Sequence, residues 1–184
     1  MTMVDIWFTS DWHLSHENII RYSNRPFGNA REMNEALLTY HNEIVRPQDH
    51  VYNLGDVTML RGSGAHHVEG LLQRFHGHKR LVLGNHDHCS AQWYLRFFEK
   101  VKAINVLDNI LFTHIPVHQN SLGRFIANVH GHTHTQHDYP PHRRVNSDNS
   151  VTWVPWVNIC VERTDYKPIH LDEVKQRIRV ALEH

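Results

Sequence analysis

Cysteine, long apolar runs and an excess of either charge are all scarce in this chain, and each shortage excludes something. Only Cys89 and Cys160 occur in 184 residues. They lie far apart and form no C-x-x-C pair, which argues against a disulfide framework or a zinc ribbon and makes a reduced, cytoplasmic setting the default. No apolar run approaches ~18 residues, so nothing reads as a membrane span. Met1 to Asp5 lacks the basic and apolar regions of a signal peptide. Lys plus Arg number 19, and so do Asp plus Glu. No global basic field points to nucleic acid. Internal repeats and low-complexity segments are missing too.

What is abundant is histidine, with 19 residues. Histidine is the commonest metal ligand and the usual proton shuttle near neutral pH. At least half read as surface residues, among them His66, His67, His76 and His78. The length suits one domain with a sizeable core, expected over residues 1–181. Leu182 to His184 reads as an expression-tag scar.

The chain is organised around Leu83-Gly84-Asn85-His86-Asp87. Arg80 to Leu83 reads as a buried strand, and glycine then lets the backbone turn. An amide, an imidazole and a carboxylate follow at once. Val4 to Thr9 reads as the first strand, rich in β-branched and aromatic residues. It delivers Asp11 and His13 at its C-terminal end. On extended chain an i, i+2 pair points to one side, which puts Trp12 in the core. His16, Asn18 and Arg25 fall in a loop, either at a pocket mouth or in local hydrogen bonds.

Asn29 to Glu32 reads as a capping box with Asn29 as N-cap and Glu32 reaching back. Met33, Leu37, Tyr40, Ile44 and Val45 continue as an amphipathic helix, and Pro47 ends it. His50 to Leu54 is a second strand, closed by Gly55-Asp56. Short helices are expected around Val68 to Phe75 and Trp93 to Phe98. Val101 to Leu107 and Ile110 to Thr113 read as strands, the second ending at His114. Ala127 to His130 is another, ending at Gly131-His132-Thr133-His134. Thr135 to Ser150 reads as a long polar loop, in which Arg143 and Arg144 are a solvated pair. Val151 to Val161 forms strands interrupted at Pro155, and Val174, Ile178 and Ala181 mark a closing helix.

Five segments therefore place ionisable or amide groups at strand ends. Buried unpaired groups of this kind are costly, and bound cations would compensate them. Together, Asp11-x-His13, Gly55-Asp56, Gly84-Asn85-His86-Asp87, His114 and Gly131-His132-x-His134 resemble the five-block signature of the calcineurin-like metallophosphoesterases. The blocks come in the family's order. Phe8 to Asp11 with His13 and His16-Glu17-Asn18-Ile19-Ile20 also resembles short bacterial and phage-type members.

The resemblance implies an α/β fold, a four-layer sandwich of two mixed β-sheets flanked by helices. It implies two divalent metal ions. Asp11, His13, Asp56 and His134 would hold the first, and Asp56, Asn85, His114 and His132 the second, with Asp56 bridging. His86 would be the proton donor and Asp87 its orienting partner. A metal-bridging hydroxide would attack phosphorus. Two cations, two carboxylates and one hydroxide leave about +1, which suits a phosphate anion. The histidine-rich shell suits Mn, Fe, Ni, Co or Zn, with Mn the first choice. The expected activity is a phosphodiesterase acting on a phosphate ester, a nucleotide among the candidates. A phosphomonoesterase using the same site is the alternative within enzymes. A non-catalytic scaffold on this fold is less favoured, because no ligand is missing. No specific protein partner is indicated.

Overall fold

A computed structural model describes residues 4–136 and 138–183. Met1 to Met3 of the leader reading and His184 of the tag reading lie outside them.

The first half alternates strand and helix. Strands β1 (Ile6–Thr9), β2 (His50–Asn53), β3 (His78–Val82) and β4 (Lys100–Lys102) are joined through helices α1 (Glu17–Tyr22), α2 (Ala30–Ile44), α3 (His66–Arg74) and α4 (Ala91–Tyr94). The second half is mostly strand: β5 (Asn105–Leu107), β6 (Ile110–Phe112), β7 (Ala127–His130), β8 (His142–Val145), β9 (Val151–Val154), β10 (Trp156–Asn158) and β11 (Ile169–His170). Helix α5 (Leu171–Ala181) follows.

Two mixed sheets result. One runs β11-β1-β2-β3-β4, with β1 to β4 parallel and β11 antiparallel. The other runs β10-β7-β6-β5, with only β5 antiparallel. The sheets face each other. Phe8 of β1 stacks on Phe112 of β6 with ring centroids 4.5 Å apart, and Val82, Ile110, Val129 and Val157 join the same core. Helix α5 closes this core with Val174 and Ile178. Against the other face of the first sheet, Met33, Leu37, Val68, Leu72 and Phe98 pack with Trp12 and Leu81. Burying these two apolar layers is the main force holding the strands in place.

Several expectations are refined. Asn29 does cap α2 by accepting from the Glu32 amide at 2.9 Å, but Glu32 reaches back to the Gly28 amide rather than to Asn29. Val101 to Leu107 is not one strand. The strand ends at Lys102, so β4 closes the first sheet and β5 belongs to the second. Pro155 separates β9 from β10, as its missing N–H requires. The polar stretch 135–150 contains β8, which pairs with β9 as a separate hairpin.

Candidate metal centre

All five sequence blocks sit at the C-terminal ends of parallel strands: β1, β2 and β3 in one sheet, β6 and β7 in the other. Open α/β sheets collect their sites at such ends. The local geometry differs from the expected extended pairs. Asp11, His13, Asp56, His132 and His134 all have left-handed backbones, with φ of 60, 49, 55, 69 and 46°. Asp11 and His13 share a side because each lies in a left-handed turn beyond the strand. Such turns cost on the order of 1 kcal/mol per non-glycine residue and persist where neighbours over-determine them. Here the loops are stitched together. Asp11 N donates to Gly55 O, His13 N to Asp56 O and Gly131 N to His114 O, each at 2.9 Å. Trp12 is buried and stacks on Phe75, as core packing demands.

The side chains converge in two sets. Asp11, His13 and His134 offer ligand atoms within 4.8 Å of one another, and so do Asp56, His114 and His132. Asp56 joins the sets: its Oδ2 lies 3.4 Å from His13 Nε2 and 3.4 Å from His114 Nε2. Asn85 completes the second set, with Oδ1 2.9 Å from His114 Nε2. His114 Nδ1 is 2.8 Å from Leu54 O. A carbonyl only accepts, so the proton sits on Nδ1 and Nε2 is turned to the site.

This donor set fits divalent cations. Asp11 and Asp56 are buried, and among the described residues neither has a lysine or arginine ion pair. Both ring nitrogens of His13 are buried without a hydrogen-bond partner among the described residues. Burial outweighs the neighbouring carboxylates and lowers the His13 pKa to about 3, which keeps the imidazole neutral as a metal requires. His114 shifts the other way. Burial opposes its charge, but Asp56 and Asp11 prevail and raise it to about 9. Its proton does the compensating that a cation would do. Asp56 is held at about 2, burial being overcome by His114 and His13.

His86 stands beside the sets, its ring 5.7 Å from His13 and 6.0 Å from His88. The carboxylate of Asp87 makes no bond to that ring. It accepts from the amides of Gly84, Asp56 and Val57 and from the Tyr94 hydroxyl. Asp87 therefore fixes the backbone that carries His86 and ties it to the Asp56 loop. Burial pushes its carboxyl up to about 6.

Three buried side chains lie behind the first set: Cys160 and Glu162, which no sequence motif marks, and Arg25, expected at a pocket mouth or in local hydrogen bonds. Cys160 Sγ lies 3.2 Å from Asp11 Oδ2. Glu162 Oε1 lies 3.0 Å from His134 Nδ1. Arg25, read as a loop residue, is buried and donates to the carbonyls of Asp11 and Trp12. The only sequence signal for Cys160 and Glu162 was a glutamate two residues after a cysteine, just past a strand. Of the other candidates, His16 keeps its ring 5.5 Å from His13, whereas Asn18 bonds Arg21. Arg143 is exposed, as expected of a solvated pair, whereas Arg144 is half-buried and donates to the carbonyls of Gly123 and Phe125. No helix among the described residues is long and apolar enough to cross a membrane.

Comparison with known proteins adds to this geometry. A model of the calcineurin-like phosphoesterases matches residues 4–177. An uncharacterized protein of Methanocaldococcus jannaschii is 34% identical over 97% of this chain and 93% of its own. The gene 66 protein of Mycobacterium phage L5 is 34% identical over 46% of this chain and 41% of its own. Among solved structures, a protein of unknown function from Aquifex aeolicus shares the fold with a TM-score of 0.66. It is 23% identical, and the match covers 95% of this chain and 99% of that one.

Proposed function

Because the chain belongs to the calcineurin-like phosphoesterase family, we propose that it is a dinuclear metal-dependent phosphodiesterase. The observation that carries this reading is Asp56, whose one oxygen stands equally close to a histidine of each set. Asp11, His13, Asp56 and His134 would hold one cation. Asp56, Asn85, His114 and His132 would hold the other. When bound, the cations would supply Lewis acidity, drawing electrons from the phosphoryl group and making water acidic enough to attack near neutral pH.

The chain's own residues do the rest. Asp56 ties the two sets at one spacing. Asn85 contributes a neutral oxygen, which leaves the pocket attractive to an anion. His86 donates a proton to the departing alkoxide oxygen, a service worth ~10²–10⁴ in rate. Asp87 and Tyr94 keep the His86 loop from drifting. The histidine-rich donors make manganese our first choice of metal. The free Cys89 and Cys160 support a cytoplasmic setting. The family match over residues 4–177 supports reading 1–181 as one domain.

The test is turnover of bis-p-nitrophenyl phosphate against p-nitrophenyl phosphate by the manganese-loaded protein. Preference for the diester is expected. Turnover of the monoester alone would make the protein a phosphomonoesterase on the same site, and turnover of neither would favour a scaffold.

A further inference from the structure

The first set is backed by a charged pair that the five blocks do not contain. Glu162 follows β10, and Arg25 follows α1, 137 residues earlier. Their side chains are almost wholly buried, at 2% and 0% exposure. Arg25 grips Glu162 Oε1 with Nε at 2.9 Å and Nη2 at 2.8 Å. The same guanidinium donates to Asp11 O at 2.8 Å and Trp12 O at 3.0 Å, the backbone between two members of the set. Glu162 Oε1 in turn lies 3.0 Å from His134 Nδ1. On the other side of that ring, Nε2 is 3.7 Å from Asp11 Oδ1.

We propose that Glu162 and Arg25 are positioning residues that fix His134 with Nδ1 protonated and Nε2 presented to the first metal. The inference rests on the proposed role of His134 as a metal holder. Three features support it. A carboxylate only accepts, so the 3.0 Å contact dictates the tautomer. Arg25 cancels the charge of Glu162, so the pair adds orientation without adding net charge to the pocket. The pair is also a poor stability device: Glu162 Oε2 is buried without a hydrogen-bond partner among the described residues, and buried ion pairs are often matched or bettered by apolar side chains. Cys160, Glu162 and His134 also cluster as a third possible donor group. Glu162 is committed to Arg25, however, and burial raises the Cys160 thiol pKa, so this group supports the first set rather than forming another.

The experiment uses the full chain and Zn²⁺ as the probe. Chelator competition reads both binding affinities for wild type, Glu162→Ala and Glu162→Gln. Wild type is expected to bind two ions. Glu162→Ala should weaken one of them by ~10–100-fold and leave the other unchanged. Glu162→Gln, whose amide oxygen still accepts the Nδ1 proton, should restore affinity toward wild type. Glu162→Ala strands the Arg25 charge and can fail to fold, so a measurement on wild type stands beside it. In the long-range ¹H–¹⁵N spectrum of the zinc-loaded protein, His134 should be protonated on Nδ1 and metallated on Nε2. The opposite tautomer, or a Glu162→Ala protein that binds both ions like wild type, would overturn the inference and leave the metal reading standing. A wild type that takes up no zinc would overturn both.

Discussion

Gly84 presses on Asp56 so closely that a Cβ added to the glycine would overlap the carboxylate Oδ1 and the backbone nitrogen of the aspartate. Gly131 stands in the same relation to Asp11, where an added Cβ would run into Oδ2 and the Ser10 hydroxyl. Each glycine precedes a block of proposed ligands and leaves room for the carboxylate that another strand delivers. Gly84→Ala and Gly131→Ala should each displace an aspartate. Overpacking of this kind costs about 1–3 kcal/mol. Urea unfolding should show that loss, and elemental analysis should show fewer metal ions per chain. Unchanged metal content in both variants would mean that the aspartates are free to sit elsewhere.

The proton-donor role of His86 depends on the leaving group. His86→Ala should slow esters of aliphatic alcohols by ~10²–10⁴ and p-nitrophenyl esters far less, because a good leaving group departs without a proton. Metal content should stay as in wild type. Equal slowing across leaving groups would remove His86 from this role.

His41, a buried residue outside the proposed ligand sets, makes the fold sensitive to acid. It packs edge-on to Trp12 and Phe75, with Nε2 donating to His76 O at 3.0 Å. Burial lowers its pKa to about 4, against ~6.5 in the unfolded chain. The unfolded state therefore takes the proton first. Stability from this residue is complete above pH ~6.5 and falls as pH drops toward 4, by up to ~3 kcal/mol. Chemical denaturation of His41→Leu should show a shallower loss between these values than wild type. Parallel pH profiles would show that His41 titrates normally in the fold.

Asp56→Asn removes the charge that both histidine sets share. At least one metal should be lost, since a neutral amide gives the second cation nothing to offset its charge. Inductively coupled plasma analysis of the dialysed protein reads this directly. Two retained metals would speak against a bridging carboxylate.

Much of this was legible in the sequence because strand ends announce themselves. Val82-Leu83-Gly84 and Leu54-Gly55 each show an apolar run stopped by glycine with a polar ligand after it. The N-cap at Asn29 and the aromatic and aliphatic helix faces were equally plain. What stayed hidden depends on contacts distant in sequence. Strand β8 is His-Arg-Arg-Val, with no apolar alternation, and exists through pairing with β9. Helix α1 has only six residues and sits inside polar loop punctuation. The left-handed backbones of Asp11 and His134 are imposed by bonds from other loops, which no local pattern encodes. The Arg25–Glu162 contact spans 137 positions, so neither residue carries a sign of the other.

Anomalous diffraction from crystals grown with Mn²⁺ tests the metal centre most directly. Two peaks ~3.5–4 Å apart are expected, one among Asp11, His13 and His134, the other among Asn85, His114 and His132, with Asp56 touching both. A single peak under metal-replete conditions, or peaks away from these side chains, would contradict a dinuclear site.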